Sequence, residues 1–308
     1  MRWLKLGVAA VPAIAAVALG YVTLRNVPWR HSSHERVGAT EPSVPTSGLY
    51  ALDFKTTVAQ TGGPPFLSVA LGGPILFSRG SSQDSLVLRV DFFGSVVHLA
   101  GVDDAKTGAG KASTPIGTLL SNAFRAPFFL EYSKDGDFTG VRMTAKGPPF
   151  ATRLWQSLGT ALQYRSGGRS AVWEMSEADT IGRYAASYRW LDGETVEKKK
   201  QRYTSFNASG VQYADPESTE RFLFTEEGAL KLLVLKERIE SKASGPIPGF
   251  GSLTDIRLAF SEDQSLLRSL DLKNLSFADY ALIPPGYQES NSPESELDLK
   301  KIGGRTIP

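Results

Sequence analysis

Alternation of apolar and polar residues, broken at short intervals by glycine turns, constrains this chain more than any single motif. Tyr50, Leu52, Phe54 and Val58 interleave with Ala51, Asp53 and Lys55, as one buried and one solvated face of a strand require. The same period of two returns at Leu86, Leu88, Val90 and Phe92, at Tyr184, Ala186, Tyr188 and Trp190, and at Ile256, Leu258 and Phe260. Between such runs stand Lys134-Asp135-Gly136-Asp137, Leu191-Asp192-Gly193 and Glu226-Glu227-Gly228, which are turn sequences. Strand, turn and strand in repetition predict a mainly β domain, an antiparallel meander or barrel.

One segment breaks the period. Phe150, Leu154, Leu158 and Leu162 recur every four residues, with Trp155 and Ala161 beside the stripe, Pro148-Pro149 before it and Gly167-Gly168 after it. This spacing predicts one amphipathic helix of about four turns, placed to fill a barrel or cover its open end.

The N-terminus predicts a membrane. Leu6 to Leu24 carries no charge and is flanked by Arg2 and Lys5 on one side and by Arg25 and Arg30 on the other. About 20 apolar residues cross a bilayer as a helix. Ala16-Val17-Ala18 resembles a signal-peptide cleavage site, but cleavage there would leave an apolar new terminus, so an uncleaved anchor is favoured. The organisation expected is an anchor or uncleaved signal at 1–25, a flexible stalk at 26–47, a β-barrel-like domain at 48–283 and a disordered polar tail at 284–308. The chain would then be a single-pass membrane protein with its main domain outside the cytoplasm, periplasmic or extracellular.

Composition narrows the function. The 308 residues are 41% hydrophobic, enough for a core, and the net charge of +2 offers no basic footprint for nucleic acid. The absence of cysteine removes thiol nucleophiles and thiolate metal sites. Thr107-Gly108-Ala109-Gly110-Lys111-Ala112 lacks the first glycine and the hydroxyl of a phosphate loop. Ser113-Thr114-Pro115-Ile116-Gly117-Thr118 is similar to a segment of L,D-transpeptidases, whose catalytic cysteine has no counterpart here. His98 alternates with Val96 and Ala100 and has no Gly-x-Ser-x-Gly elbow to serve. His31 and His34 fall in the expected stalk and are read as incidental. The carboxylate pairs Asp103/Asp104, Glu177/Asp179 and Glu226/Glu227 sit at expected turns, where carboxylates are ordinarily solvated. No metal site, cofactor or catalytic residue is expected, and the chain is read as a non-enzyme. A carboxylate-dependent hydrolase is the remaining enzymatic possibility, since paired acids have no local signature.

The order of features after Pro127 is more specific. A hairpin turns at Gly136, a helix ends in Leu162-Gln163, and Glu177-Ala178-Asp179, Gly182 and an aromatic strand from Tyr184 to Tyr188 come next. This order resembles the N-terminal β-barrel of the large lipid transfer proteins, the family of vitellogenin, apolipoprotein B and microsomal triglyceride transfer protein. The resemblance is clear over about 75 residues and loose over the rest of the domain. It implies an isolated barrel that binds lipid, lipoprotein or a protein partner. Two features depart from it: the family's barrel carries disulfides, and its lipid cavity is built largely by downstream domains for which this chain has no residues.

Two functions are compatible with these features. In the first, an anchored β-domain binds or relays lipid or lipoprotein at the cell envelope, with Leu154, Trp155, Leu158 and Leu162 lining a cavity or forming plain core. In the second, the domain is an envelope interaction module without bound lipid. Its partner would be met by Trp173, Trp190 and the basic run Lys198, Lys199, Lys200 and Arg202, which could equally be a solvated strand edge protected against aggregation.

Overall fold

The computed structural model describes residues 42, 46–61, 63–81, 85–101, 124, 126–144, 149–168, 170–207, 214–242, 249–262 and 280–285. The expected anchor at 1–25, nearly all of the stalk and nearly all of the tail lie outside these residues. So do both stalk histidines, Asp103/Asp104 and the glycine-rich segment at 107–118. Among the described residues no helix is long and apolar enough to cross a membrane.

Among the described residues thirteen strands form one antiparallel sheet. In chain order they are β1 (Gly48–Gln60), β2 (Pro65–Ser81), β3 (Ser85–Phe92), β4 (Ser95–Gly101), β5 (Phe128–Ser133), β6 (Phe138–Thr144), β7 (Val172–Ala178), β8 (Gly182–Trp190), β9 (Thr195–Phe206), β10 (Ala214–Phe224), β11 (Leu230–Ser241), β12 (Phe250–Phe260) and β13 (Tyr280–Ile283). A helix, α1 (Pro149–Ala161), stands between β6 and β7.

The sheet runs β13-β6-β5-β3-β2-β1-β12-β11-β10-β9-β8-β7, with β4 paired to β2 off this path. From β7 to β12 it is a meander of consecutive hairpins. The expected turns at Gly136, Gly193 and Gly228 join β5 to β6, β8 to β9 and β10 to β11. The other half is less regular. β2 holds β4 along Leu67–Gly72 and β3 along Ile75–Ser81, so it changes partner at Gly73. Gly73 has φ +135°, and a Cβ there would lie 2.4 Å from Gly94 Cα. Only glycine allows the two backbones to cross so closely.

The barrel expectation needs correction. β7 and β13 end the path and do not pair with each other among the described residues, so the sheet is curved but not closed. Closure requires two edge strands of matched length and register. β13 has four residues, and β7 buries only Trp173 and Glu177 while Val172 points outward at 62% exposure. Short edges with few inward apolar residues leave little to seal.

The concave face carries the core, and α1 lies in it. Pro149 opens the helix, where its missing N–H and fixed φ cost nothing. Leu154, Trp155, Leu158 and Leu162, the last just beyond the helix, are 0–3% exposed. Trp155 stacks on Phe128 at 4.2 Å between centroids and meets Phe92 and Phe124 edge-on at 5.7 and 5.2 Å. Strands from both halves of the sheet join the same cluster, including Leu52, Phe54, Leu130, Phe222, Leu233 and Leu258. The four helix residues weighed as cavity lining are therefore core.

Candidate functional site

The most unusual chemistry lies on the inner face of β7, β9, β10 and β11, beyond the end of α1. Alternation on β9 turns Val196, Lys198 and Lys200 inward, and all three are buried. Lys198 Nζ lies 3.0 Å from Glu177 Oε2 and 3.1 Å from Glu220 Oε2, and it donates to the Gln163 carbonyl at 2.9 Å. Lys200 Nζ lies 2.6 Å from both Asp179 Oδ2 and Glu237 Oε1. Glu177 also accepts hydrogen bonds from the hydroxyls of Tyr184, at 2.7 Å, and Tyr188. Tyr203 donates to Asp179 at 2.7 Å.

Local irregularity makes this arrangement possible. Ala186 pairs with Lys200 but Ala185 pairs with Arg202, so Gln201 is an extra residue in β9, and a second extra residue falls at Thr204. The first bulge reverses the facing of the residues after it. Arg202 points to solvent and Tyr203 reaches Asp179. Asp179 shapes the turn between β7 and β8, where its Oδ1 accepts from the N–H groups of Ile181 at 2.8 Å and Gly182 at 3.0 Å. A Cβ on Gly182 would lie 1.9 Å from the Ser205 carbonyl oxygen, so β8 approaches β9 here only because the residue is glycine.

Burial and charge set the electrostatics. Burial alone would push the Lys198 ammonium down, but Glu177 and Glu220 outweigh it and hold its pKa above the ordinary value. Lys200 is held well above by Asp179 and Glu237 against the same burial. Burial, and then the charge of Glu177, raises the hydroxyls of Tyr184 and Tyr188 far above the usual range. Glu220 goes the other way from a normal ion-paired acid: burial raises it to about 7, and Lys198 only partly opposes this.

Linkage gives that shift a sign. A carboxyl whose folded pKa lies above its unfolded value of 4.5 binds its proton more tightly when folded, so stability is lost as pH rises through the folded pKa. Between pH 4.5 and 7 the group removes about 3 kcal/mol of unfolding free energy. Urea unfolding at pH 5 and pH 8 checks this. The wild-type chain is expected to lose roughly 2–3 kcal/mol relative to Glu220→Gln across that interval, and parallel profiles would contradict it.

A cavity of about 40 Å³ opens between the end of α1 and this network, with Ser157, Thr160, Asp179, Lys200, Glu220 and Glu237 in its wall. Binding pockets for drug-sized molecules are about 300–1,000 Å³. This one admits a group the size of a few waters.

The residues expected to meet a partner are divided by the sheet. Trp173 is 8% exposed and stacks on Tyr188 at 5.0 Å, and its Nε1 donates to the Arg165 carbonyl at 2.9 Å. Trp190 is half-buried beside Trp173 and Phe224. Trp173, Lys198 and Lys200 are thus inside and unavailable to a partner's surface, whereas Lys199 and Arg202 lie outside. The basic run is neither a contact surface nor a solvated edge in full, because alternate lysines find carboxylates in the core. Glu177 and Asp179, expected to be solvated, are 1% and 4% exposed, while Glu226 and Glu227 are exposed at their turn. His98 sits on β4 opposite Ala70.

Glu220 and Glu237 escape a reading of the sequence by motif, though it holds a signal for them. Glu220 has the same strand parity as Phe222 and Phe224, and Glu237 the same as Leu235 and Ile239. An acid on an apolar face needs a buried partner, and Lys198 and Lys200 share parity with Val196 on the neighbouring part of the sheet.

No family model matches the chain, and no curated protein matches it. Among solved structures it is similar to one of lipovitellin, described for its lipid–protein interactions, with TM-score 0.48 and 11% identity over 69% of this chain and 25% of that one. The chain thus corresponds to about a quarter of that protein's length. It is also similar to an S-type phycobiliprotein lyase from Guillardia theta (TM-score 0.27, 9% identity, 71% of this chain and 89% of that one). A DUF1329 family protein from Desulfovibrio piger gives TM-score 0.27 and 10% identity over 71% of this chain and 88% of that one. At these scores the likenesses carry no argument about ligand or activity.

Proposed function

We propose that this chain is a non-enzymatic interaction module of the cell envelope. Leu6–Leu24 anchors it in a membrane, and its β-domain meets a protein or lipoprotein partner outside the cytoplasm through its surface, without enclosing a lipid. The filled concave face carries this reading. The residues that would have lined a lipid cavity, Leu154, Trp155, Leu158 and Leu162, are instead packed to 0–3% exposure. The space next to the helix is about 40 Å³ and has Asp179, Lys200, Glu220 and Glu237 in its wall. An acyl chain needs an apolar pocket several times larger.

The buried acids support a non-catalytic role. Glu177 is engaged by Lys198 and two tyrosines, and Asp179 by Lys200, Tyr203 and two backbone N–H groups. A glycosidase pair needs two carboxyl groups about 5–10 Å apart across a cleft that admits a sugar. The cavity with Asp179, Glu220 and Glu237 in its wall, at about 40 Å³, is far too small for one.

The test releases the domain from its membrane by limited proteolysis within residues 26–47, followed by solvent extraction and mass spectrometry. Only trace lipid is expected. Near-stoichiometric acyl lipid in the extract would overturn the proposal in favour of a lipid carrier. Crosslinking from the exposed Lys199 or Arg202 to one specific protein is the positive counterpart.

A further inference from the structure

Two carboxylate oxygens of the buried network, Glu220 Oε1 and Glu237 Oε1, have no hydrogen-bond partner among the described residues, and of the two only Glu237 Oε1 has the Lys200 ammonium beside it, at 2.6 Å. Glu220 is 2% exposed and stands in the wall of the cavity at the end of α1. Lys198 takes its Oε2, and its Oε1 has no hydrogen-bond partner among the described residues. A buried carboxylate oxygen left unpaired is costly, and native structures supply such atoms with a donor.

The surroundings define the donor. Four carboxylates, Glu177, Asp179, Glu220 and Glu237, share two ammonium groups, Lys198 and Lys200, so the cluster is short of positive charge. The C-terminal end of α1, the negative end of its dipole, supplies Ser157 and Thr160 to the wall and has no basic residue in its last turn. Both hydroxyls already donate to carbonyls one turn back, Arg153 at 3.0 Å and Gln156 at 2.9 Å, and so present lone pairs to the cavity. Lys200, the cation in the wall, is committed to Asp179 and Glu237.

Acceptors at scattered angles suit a group with several N–H bonds. Among the described residues no set of three or more His, Asp or Glu side chains is arranged to hold a metal ion, whereas an ammonium carries three donors of its own. Some 40 Å³ takes a group the size of a few waters, and a quaternary ammonium there would bring no N–H to the acceptors.

We propose that this cavity binds the primary ammonium group of a small ligand, with Glu220 Oε1 as the charged acceptor and the C-terminal end of α1 as the second electrostatic element. A free amine and an ethanolamine headgroup share this chemistry. The ammonium competes with the proton on Glu220. The groups facing that carboxyl are Lys198 and Lys200 on β9, Glu177 on β7 with Asp179 just after it, Glu237 on β11, Tyr184 and Tyr188 on β8, and Tyr132 on β5. Binding therefore releases a proton and strengthens as pH rises through about 7.

The test titrates methylammonium, ethanolamine and tetramethylammonium chlorides into the full chain in non-ionic detergent micelles at pH 8, against constant sodium chloride. Saturable heat is expected for the first two, with tetramethylammonium at least about tenfold weaker. Glu220→Gln should weaken methylammonium binding by about tenfold or more, as expected when a charged acceptor is lost. Because Glu220→Gln also disturbs Lys198, a second variant is needed. Ser157→Leu fills the cavity from the half-exposed side of the helix, leaves the ion pairs intact and should weaken binding equally. Co-sedimentation with phosphatidylethanolamine vesicles but not phosphatidylcholine vesicles would assign the amine to a lipid headgroup, and equal sedimentation would assign it to a free amine. Absence of saturable heat, equal affinity for tetramethylammonium, or unchanged affinity in both variants would overturn the proposal.

Discussion

Lys198→Met is expected to destabilise the domain by about 3–5 kcal/mol, the cost of removing one partner from a buried ion pair. Methionine keeps much of the stem's volume, so the loss isolates the charge. Glu177 and Glu220 would lose the ammonium that lies 3.0 and 3.1 Å from them, and the Gln163 carbonyl would lose its donor. For a domain of this size each kcal/mol lowers Tm by roughly 2–4 °C. Urea unfolding with Lys199→Met as the control measures it. Lys199 is one residue away but half exposed beside Glu197, and its removal should stay within about 0.5 kcal/mol. The deficit of Lys198→Met should shrink at pH 5, where Glu220 takes up a proton and no longer requires a cation. A Lys198→Met chain as stable as Lys199→Met would show that the buried network contributes nothing net.

Trp155→Ala is the second large effect, at about 3–5 kcal/mol. Trp155 is fully buried, stacked on Phe128 and edge-on to Phe92 and Phe124, and it joins the helix to β3 and β5. Truncation removes these ring contacts and leaves a void that the flanking strands cannot fill without breaking register. Its indole Nε1 has no hydrogen-bond partner among the described residues, so Trp155→Phe forfeits area and no bond and should cost much less than alanine. Thermal unfolding of the two variants separates these outcomes. Near-wild-type stability for Trp155→Ala would mean that the helix is not seated as described.

The range of each interaction decides whether the sequence discloses it. The hairpins β5–β6, β8–β9 and β10–β11 were legible because their turns at Gly136, Gly193 and Gly228 are local signals. The helix was legible because four-residue spacing after Pro149 has no strand interpretation. The sheet order was not, since nothing near Tyr50 indicates that it pairs with Phe260, or that β2 changes partner at Gly73. Openness of the sheet was hidden for the same reason: it depends on how two distant edges compare. The basic run misled because charge is read as solvation until a partner is found. The partners of Lys198 and Lys200 lie on β7, β10 and β11 and in the turn after β7, out of reach of any window around residue 199.

The pairing of β1 with β12 has a kinetic consequence. The eleven-residue ladder from Tyr50–Phe260 to Gln60–Phe250 joins segments about 200 residues apart, and loop closure over such distances slows folding. As the chain is synthesised, the first strand emerges long before its partner and must wait with one hydrogen-bonding edge open. Folding of this half therefore hinges on the late arrival of Phe250–Phe260, and a chain truncated before that point would expose a strand edge prone to aggregation.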